Sequence, residues 1–86
     1  MPPIDNKKLW ESVLGEMELS VSKPNFNTWF KDTSVYKVED GVAFVGVPNN
    51  FVKDWLHKKY HSAILRILRT GTPSIRSLEY VISRDS

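Results

Sequence analysis

Two histidines, His57 and His61, come closest in this sequence to a chemical site. A separation of four residues on a helix places two imidazoles on one face, where they can chelate a metal ion. The zinc-protease motif needs a glutamate directly after its first histidine, but position 58 is Lys58, and no nearby acidic residue completes a ligand set. The pattern therefore predicts two solvated histidines and no metal site.

The other residue types with catalytic potential are scattered. The four glycines (Gly15, Gly41, Gly46 and Gly71) are isolated, so no glycine-rich loop is available to hold a nucleotide phosphate. The chain has no cysteine, and its acidic residues form no spaced pair in an apolar setting that would suit acid–base catalysis. We expect neither an enzyme nor a cofactor.

Composition predicts one small folded domain. The 86 residues are 41% hydrophobic and include ten aromatic side chains, and the net charge is only +2. This composition is too apolar, and the charge too small, for a disordered chain. No apolar run is long enough to cross a membrane, and the lack of cysteine suits the cytoplasm. We expect a single domain over residues 1–86, ordered from about 5 to 83.

Helical spacing of apolar residues predicts two helices in the first third of the chain. The first runs from about Asn6 to Glu18 with Asp5 as its cap, and the second follows Ser22 as its cap. The apolar stripe of the first helix is wide enough to bury one edge and offer the other to a partner. The stripe consists of Leu9, Trp10, Val13, Leu14 and Met17.

Three strands and one long helix complete the chain. Strands are predicted over about 34–38, 42–47 and 77–83, with a tight turn at Glu39-Asp40-Gly41. A helix from about Asn50 to Thr70, capped by Asn49, lies between the second and third strands. The order α-α-β-β-α-β predicts a KH-like α+β fold, in which a three-stranded sheet carries the helices on one face.

The long helix places one aromatic residue away from its core face. At about 100° per residue, the predicted core residues lie within about 120° of one another (Val52, Leu56, Tyr60, Ala63, Ile64 and Ile67). Trp55 lies on the flank of this face, Leu65 falls nearly opposite as a stray surface residue, and Phe51 lies about 150° from the centre. Phe51 either tucks against Trp55 or the preceding strand, or it serves as an anchor for a partner protein.

Basic residues give the long helix a second candidate surface. Lys53, Lys58 and Lys59 form a basic edge that could contact nucleic-acid phosphates, although such residues are more often a solvated face. A KH module grips nucleic acid through a G-x-x-G loop, and no two glycines here are three residues apart. Any binding of single-stranded DNA is therefore expected to be weak.

Three groups of residues together resemble a known family. These are Leu9-Trp10, the Phe26-x-x-Trp29 spacing, and above all the run Val47-Pro48-Asn49-Asn50-Phe51-Val52-Lys53-Asp54-Trp55-Leu56-x-x-Lys59-Tyr60. They resemble the N-terminal domain of the bacterial chromosomal replication initiator DnaA, from Leu9 to about Ile82. The resemblance implies a non-catalytic domain that self-associates, recruits the replicative helicase to the origin, docks lineage-specific regulators and binds single-stranded DNA weakly. It also implies an N-terminal fragment of a longer initiator, whose ATP-binding ATPase and duplex-DNA-binding domains would follow.

The resemblance also assigns roles to individual residues. Phe51 matches a helicase-contacting aromatic, and Asn49 matches a polar residue on the surface that regulators use. Asn25 stands where some members carry a glutamate that meets helicase or DNA. Trp10, with Leu9 beside it, matches a first-helix position implicated in self-association, although its place in the apolar stripe suits the core equally well.

Overall fold

The computed structural model describes residues 5–82 and confirms the predicted α+β order. The long helix consists of three consecutive segments, of which the middle one is π-helical. Ser83, the predicted last residue of the final strand, lies outside the described residues. The elements are α1 (Asn6–Ser20), α2 (Lys23–Phe30), β1 (Ser34–Glu39), β2 (Val42–Val47), α3 (Asn50–Trp55), the π segment (Leu56–Tyr60), α4 (His61–Gly71) and β3 (Ser77–Ile82).

The strands form one mixed sheet in the order β1-β2-β3. β1 and β2 pair antiparallel as a hairpin, whereas β2 and β3 pair in parallel. A parallel pair needs a long crossover connection, and the long helix supplies it. The helices cover one face of this sheet, where the strand residues Val35, Ala43, Val45, Val47 and Leu78 are buried. On the other face Phe44 lies between its strand partners Lys37 and Glu79, and the Lys37 ammonium lies 5.0 Å from the Phe44 ring centre.

The hairpin turn is joined to the start of β3. Asp40 and Gly41 have φ values of 53° and 79°, the positive values that a type I′ turn requires at both central positions. The Gly41 carbonyl accepts hydrogen bonds from the backbone N–H groups of Arg76 (2.6 Å) and Ser77 (3.3 Å). The Arg76 side chain also donates to the Asp40 carbonyl at 2.6 Å. A Cβ on Gly41 would lie 2.7 Å from the flexible Arg76 side chain and 3.0 Å from the Ser74 carbonyl oxygen, so this position requires glycine chiefly for its backbone angle.

Two of the three predicted helix caps are confirmed. The Asp5 carboxylate accepts from the backbone N–H groups of Lys7 and Lys8, and the Asn49 side chain accepts from that of Val52 at 2.9 Å. Ser22 stands at the N-cap of α2, but its side chain makes no capping hydrogen bond. The role expected for the Ser22 hydroxyl is therefore wrong.

The π segment changes which face of α4 is buried. Four buried residues and the half-buried Tyr60 recur at four-residue intervals: Val52, Leu56, Tyr60, Ile64 and Leu68. On an ideal α-helix each interval drifts by about 40°, so this set would wind around the axis. The wider π turn, with its i→i+5 bonding, removes most of that drift. It brings Ile64 and Leu68 to 0% exposure beneath the sheet face.

The same change corrects the straight-helix prediction for Leu65. Leu65 was expected on the surface opposite the core, but it is half-buried and packs against the core residues. Ala63 and Ile67, expected on the core face, are only half-buried. The smaller rotation per residue in the π turn before His61 accounts for all three positions.

Candidate interaction surface

Three aromatic side chains from α2 and α3 form one continuous surface, which we call the aromatic surface (Trp29, Phe51 and Trp55). The Trp29 and Trp55 rings stack with centroids 4.7 Å apart and planes 13° apart. The Phe51 ring lies against Trp29 at 5.4 Å, and the Lys59 ammonium lies 5.5 Å from the Trp55 ring. Phe51 and Trp55 are four residues apart and so share one side of α3, while Trp29 reaches them from α2.

Phe51 is the most exposed member of the aromatic surface. Its side chain is 71% exposed, whereas Trp29 and Trp55 are half-buried. The outward position expected from the helix period is confirmed, and the ring contacts Trp29 rather than folding into the core. The geometry thus supplies an apolar ring that is accessible to a partner and held from one side by an indole.

The Trp55 indole N–H is a buried donor without a partner among residues 5–82. An unpaired buried donor costs about 1–3 kcal/mol, so such groups are few in native structures. The aromatic surface therefore includes one energetically unfavourable group just below its exposed part.

Two asparagines expected at this surface are both exposed. The Asn49 side-chain oxygen is engaged in capping α3, so Asn49 fixes the start of the helix that carries Phe51. Asn25 lies one turn before Trp29 on α2, which places it on the same side of that helix. Asn25 therefore shares a side of α2 with Trp29, and Asn49 caps the helix that carries Phe51.

The three lysines of the candidate basic edge are not equivalent. Lys58 and Lys59 are exposed, and Lys59 lies over Trp55. Lys53 is half-buried in α3, one turn after Asn49. Lys59 of the basic edge thus borders the aromatic surface, and the two candidate surfaces meet at this residue.

Leu9 and Trp10, the residues expected in self-association, lie in the core. They are 8% and 3% exposed, and the Trp10 indole N–H donates to the Thr33 hydroxyl at 3.1 Å. That hydroxyl in turn donates to the Phe30 carbonyl at 2.7 Å. The apolar stripe left two placements open for Trp10, the core and an interface, and the structure places its side chain in the core.

A groove of about 430 Å³ between α1 and β1 is lined in part by Trp10 and the half-buried Leu14. Self-association through Leu9 and Trp10 stays a prediction.

The two histidines are not both solvated, so that expectation is wrong for His61. His57 is exposed, but His61 is half-buried, and its Nδ1 lies 3.1 Å from the Tyr80 hydroxyl of β3. The two imidazole centroids are 4.8 Å apart. Burial, together with the neighbouring His57, lowers the pKa of His61, while Glu79 opposes this shift. Burial raises the pKa of Tyr80 well above its ordinary value, so the hydroxyl stays protonated at neutral pH.

The structure also bears on the site types that the sequence disfavours. Within residues 5–82, no three His, Cys, Asp or Glu side chains are grouped closely enough to hold a metal ion. None of the helices in that range is both long and apolar enough to cross a membrane.

Sequence reasoning missed Trp29 and Trp55 as parts of the candidate site. The available signal was the four-residue spacing of Phe51 and Trp55, which places both rings on one side of α3. The contribution of Trp29 could not be read from spacing, because it depends on how α2 packs against α3.

One protein-family model matches this sequence over a range that contains the candidate site. The family described as the DnaA N-terminal domain matches residues 7–70, about three quarters of the chain. The matched range spans α1 to α4 and contains the whole aromatic surface, while β3 lies beyond it. Since the match covers well over half of the 86 residues, this chain belongs to the family of N-terminal domains of the replication initiator DnaA.

Proposed function

We propose that this chain is a non-catalytic interaction domain that binds the replicative helicase and lineage-specific regulators through the aromatic surface. The single observation that carries the proposal is the 71% exposure of Phe51 beside two half-buried tryptophans. Aromatic side chains dominate the binding energy of protein interfaces, and they do so where neighbouring groups exclude water. Family membership supports a protein-interaction role in replication initiation.

Phe51 is suited to be the anchor because it needs little rearrangement to bind. Its ring already rests on Trp29, so part of its conformational freedom is lost before a partner arrives. Asn25 and Asn49 supply a polar rim in this arrangement, with donors and acceptors that fix the orientation of a partner.

The decisive experiment compares two exposed aromatics on different parts of the molecule. Phe51→Ala is expected to weaken binding of the replicative helicase by about 30-fold, since a hot-spot aromatic contributes about 2 kcal/mol. Tyr36→Ala removes a 62% exposed ring from β1, and it is expected to change binding less than about twofold. The dissociation constants would be measured by surface plasmon resonance with the helicase immobilised, and folding checked by circular dichroism. Helicase binding by the Phe51 variant at wild-type strength would exclude the proposal, and so would unfolding of that variant.

Asn49 needs a different substitution, because alanine would remove a helix cap as well as a contact. Serine caps helices about as well as asparagine, so Asn49→Ser preserves the start of α3 while shortening the side chain. Reduced partner binding with unchanged stability would indicate direct contact. Wild-type binding would restrict Asn49 to positioning α3. Asn25 caps no helix, so Asn25→Ala tests whether the polar rim on α2 contributes to partner binding.

The alternative function is weak binding of single-stranded DNA, favoured by the position of Lys59 over Trp55. Bases stack on exposed aromatic rings while ammonium groups contact phosphates, and such binding weakens steeply with salt. The combined substitution of Lys58 and Lys59 by glutamine is expected to reduce the salt dependence of oligonucleotide binding, measured by fluorescence anisotropy. No binding at low salt would dismiss this alternative.

Self-association is a separate part of the proposal and would use the α1 side of the molecule. Because Trp10 is buried, the groove that it lines is the accessible surface through which it could act, whereas Leu9 does not line this groove. Glu11→Lys reverses the charge of an exposed groove residue without touching the core. We expect it to change the weight-average mass at high concentration in analytical ultracentrifugation. A wild-type domain that stays monomeric there would count against self-association.

We further propose that the chain acts in the cytoplasm as the N-terminal part of a longer initiator. In that arrangement a weak contact between single domains gains strength when several initiators assemble on one origin.

A further inference from the structure

His57 and His61 form a pair whose geometry the proposed function does not use. Their rings lie 4.8 Å apart at the junction of the π segment and α4, with His57 exposed. Both also approach Tyr80, whose ring centroid lies 6.0 Å from that of His57 and 5.8 Å from that of His61. Tyr80 belongs to β3, so the pair is positioned by two separate elements of the fold.

The hydrogen bond to Tyr80 engages Nδ1 of His61, and which of the two groups donates depends on the histidine tautomer. A protonated hydroxyl can accept a hydrogen bond from Nδ1–H at the observed 3.1 Å. In that tautomer Nε2 carries the lone pair and is available as a ligand. Metal-binding histidines usually donate their second ring N–H to a neighbouring oxygen in this manner, which fixes the ring and its tautomer.

We propose that His57 and His61 together bind a late first-row divalent cation such as Zn²⁺ or Ni²⁺, with Tyr80 as a positioning residue. The two imidazoles supply two ligands, and water completes the coordination sphere. Two histidines four residues apart are a recurrent arrangement for zinc on a helix. Neutral imidazole suits zinc and nickel, whereas magnesium prefers oxygen ligands.

The groups around the pair include a carboxylate that agrees with cation binding. The groups facing His61 are His57 from the π segment and Tyr80 and Glu79 from β3. Glu79 places a negative charge near the site, which favours a cation.

The test uses the untagged 86-residue chain, because a polyhistidine tag would bind the same metals. His57 and His61 are the only two histidines in the sequence, so the imidazole region of a ¹H–¹³C NMR spectrum contains two sets of signals. Zn²⁺ added at pH 7.5 is expected to shift both sets along one shared saturation curve, while Mg²⁺ at the same concentration shifts neither. Independent curves for the two histidines, or no shift, would overturn the proposal.

Single substitutions separate chelation from binding at lone imidazoles. His57→Gln and His61→Gln are each expected to weaken Zn²⁺ binding at least tenfold, because each leaves one ligand. Tyr80→Phe keeps the ring and removes the hydroxyl, and it is expected to weaken binding severalfold, as loss of such an oxygen partner commonly does. Unchanged Zn²⁺ affinity in either histidine variant would exclude a shared site. Unchanged affinity in the Tyr80 variant would exclude its positioning role. Circular dichroism of each variant verifies that the helix persists.

Discussion

Trp10 and the aromatic surface show how the same residue types serve two purposes in one small domain. Trp10 is 3% exposed, and its indole N–H is paired with the Thr33 hydroxyl, so both its apolar and its polar parts are satisfied inside the domain. In the aromatic surface, Phe51 remains 71% exposed and the Trp55 indole N–H has no partner among residues 5–82. The first arrangement stabilises the fold, whereas the second leaves apolar area exposed, which the proposed function assigns to a partner.

The largest expected effect comes from removing the core indole. Trp10→Ala should lower the free energy of unfolding by about 3–5 kcal/mol, because a large buried ring is lost and a cavity remains. Phe51→Ala, the matched exposed aromatic, should lower it by only about 0.5 kcal/mol. Urea unfolding followed by circular dichroism at 222 nm would measure both. Similar losses in the two variants would remove the distinction between the core and the aromatic surface.

A smaller effect is expected from the partner of the Trp10 N–H. Thr33→Val keeps the shape of the side chain but leaves that donor buried without an acceptor, at a cost of about 1–3 kcal/mol. Thr28→Val is the control, since Thr28 is exposed and bonds only the Pro24 carbonyl of its own helix. The control is expected to change stability by less than about 0.5 kcal/mol in the same urea assay. Equal losses of unfolding free energy at Thr28 and Thr33 would mean that the hydrogen bond to Trp10 contributes no measurable stability.

The unpaired indole of the aromatic surface should respond differently. Trp55→Phe removes apolar area but also a buried donor that costs about 1–3 kcal/mol, so the two effects offset and stability should change by less than about 1 kcal/mol. Trp10→Phe removes a donor that is paired, and it should cost more. If Trp55→Phe proves the more damaging of the two, the comparison between these indoles is wrong.

The smallest effect concerns the dependence of stability on pH. The pKa of His61 in the folded chain lies below its ordinary value of 6.5, because burial disfavours the charged imidazole. The unfolded chain therefore binds more protons just below pH 6.5, and stability should fall as the pH is lowered through that value toward the folded pKa. Thermal unfolding between pH 7.5 and 5.5 would measure this slope. His61→Gln should flatten it, and an unchanged slope would assign the effect to other groups.

The sequence was sufficient for the elements and for the outward position of Phe51. Local signals carried these predictions: caps at Asp5 and Asn49, the Asp40-Gly41 turn, and the helix period around Phe51. Each depends on residues that are close in the chain, where spacing alone determines geometry.

The misses depend on packing between distant segments or on departure from the ideal helix. The spacing of the apolar stripe could not place Trp10 in the core, because its burial depends on distant contacts such as the hydrogen bond to Thr33, 23 residues away. His61 is half-buried because Tyr80 of β3 lies against it, 19 residues further along the chain. Leu65 was misplaced because a constant 100° per residue does not describe a helix with a π turn, although the four-residue recurrence from Val52 to Leu68 was a usable sign of one.

The attachment of the hairpin turn to β3 has a consequence for how the domain opens. The Gly41 carbonyl accepts hydrogen bonds from the backbone N–H groups of both Arg76 and Ser77. The turn therefore cannot open without releasing the start of β3, some 35 residues later in the chain. Local opening at this end is thus coupled to separation of the parallel pair, and amide protons of Arg76 and Ser77 should exchange with solvent as one cooperative unit with those of the hairpin.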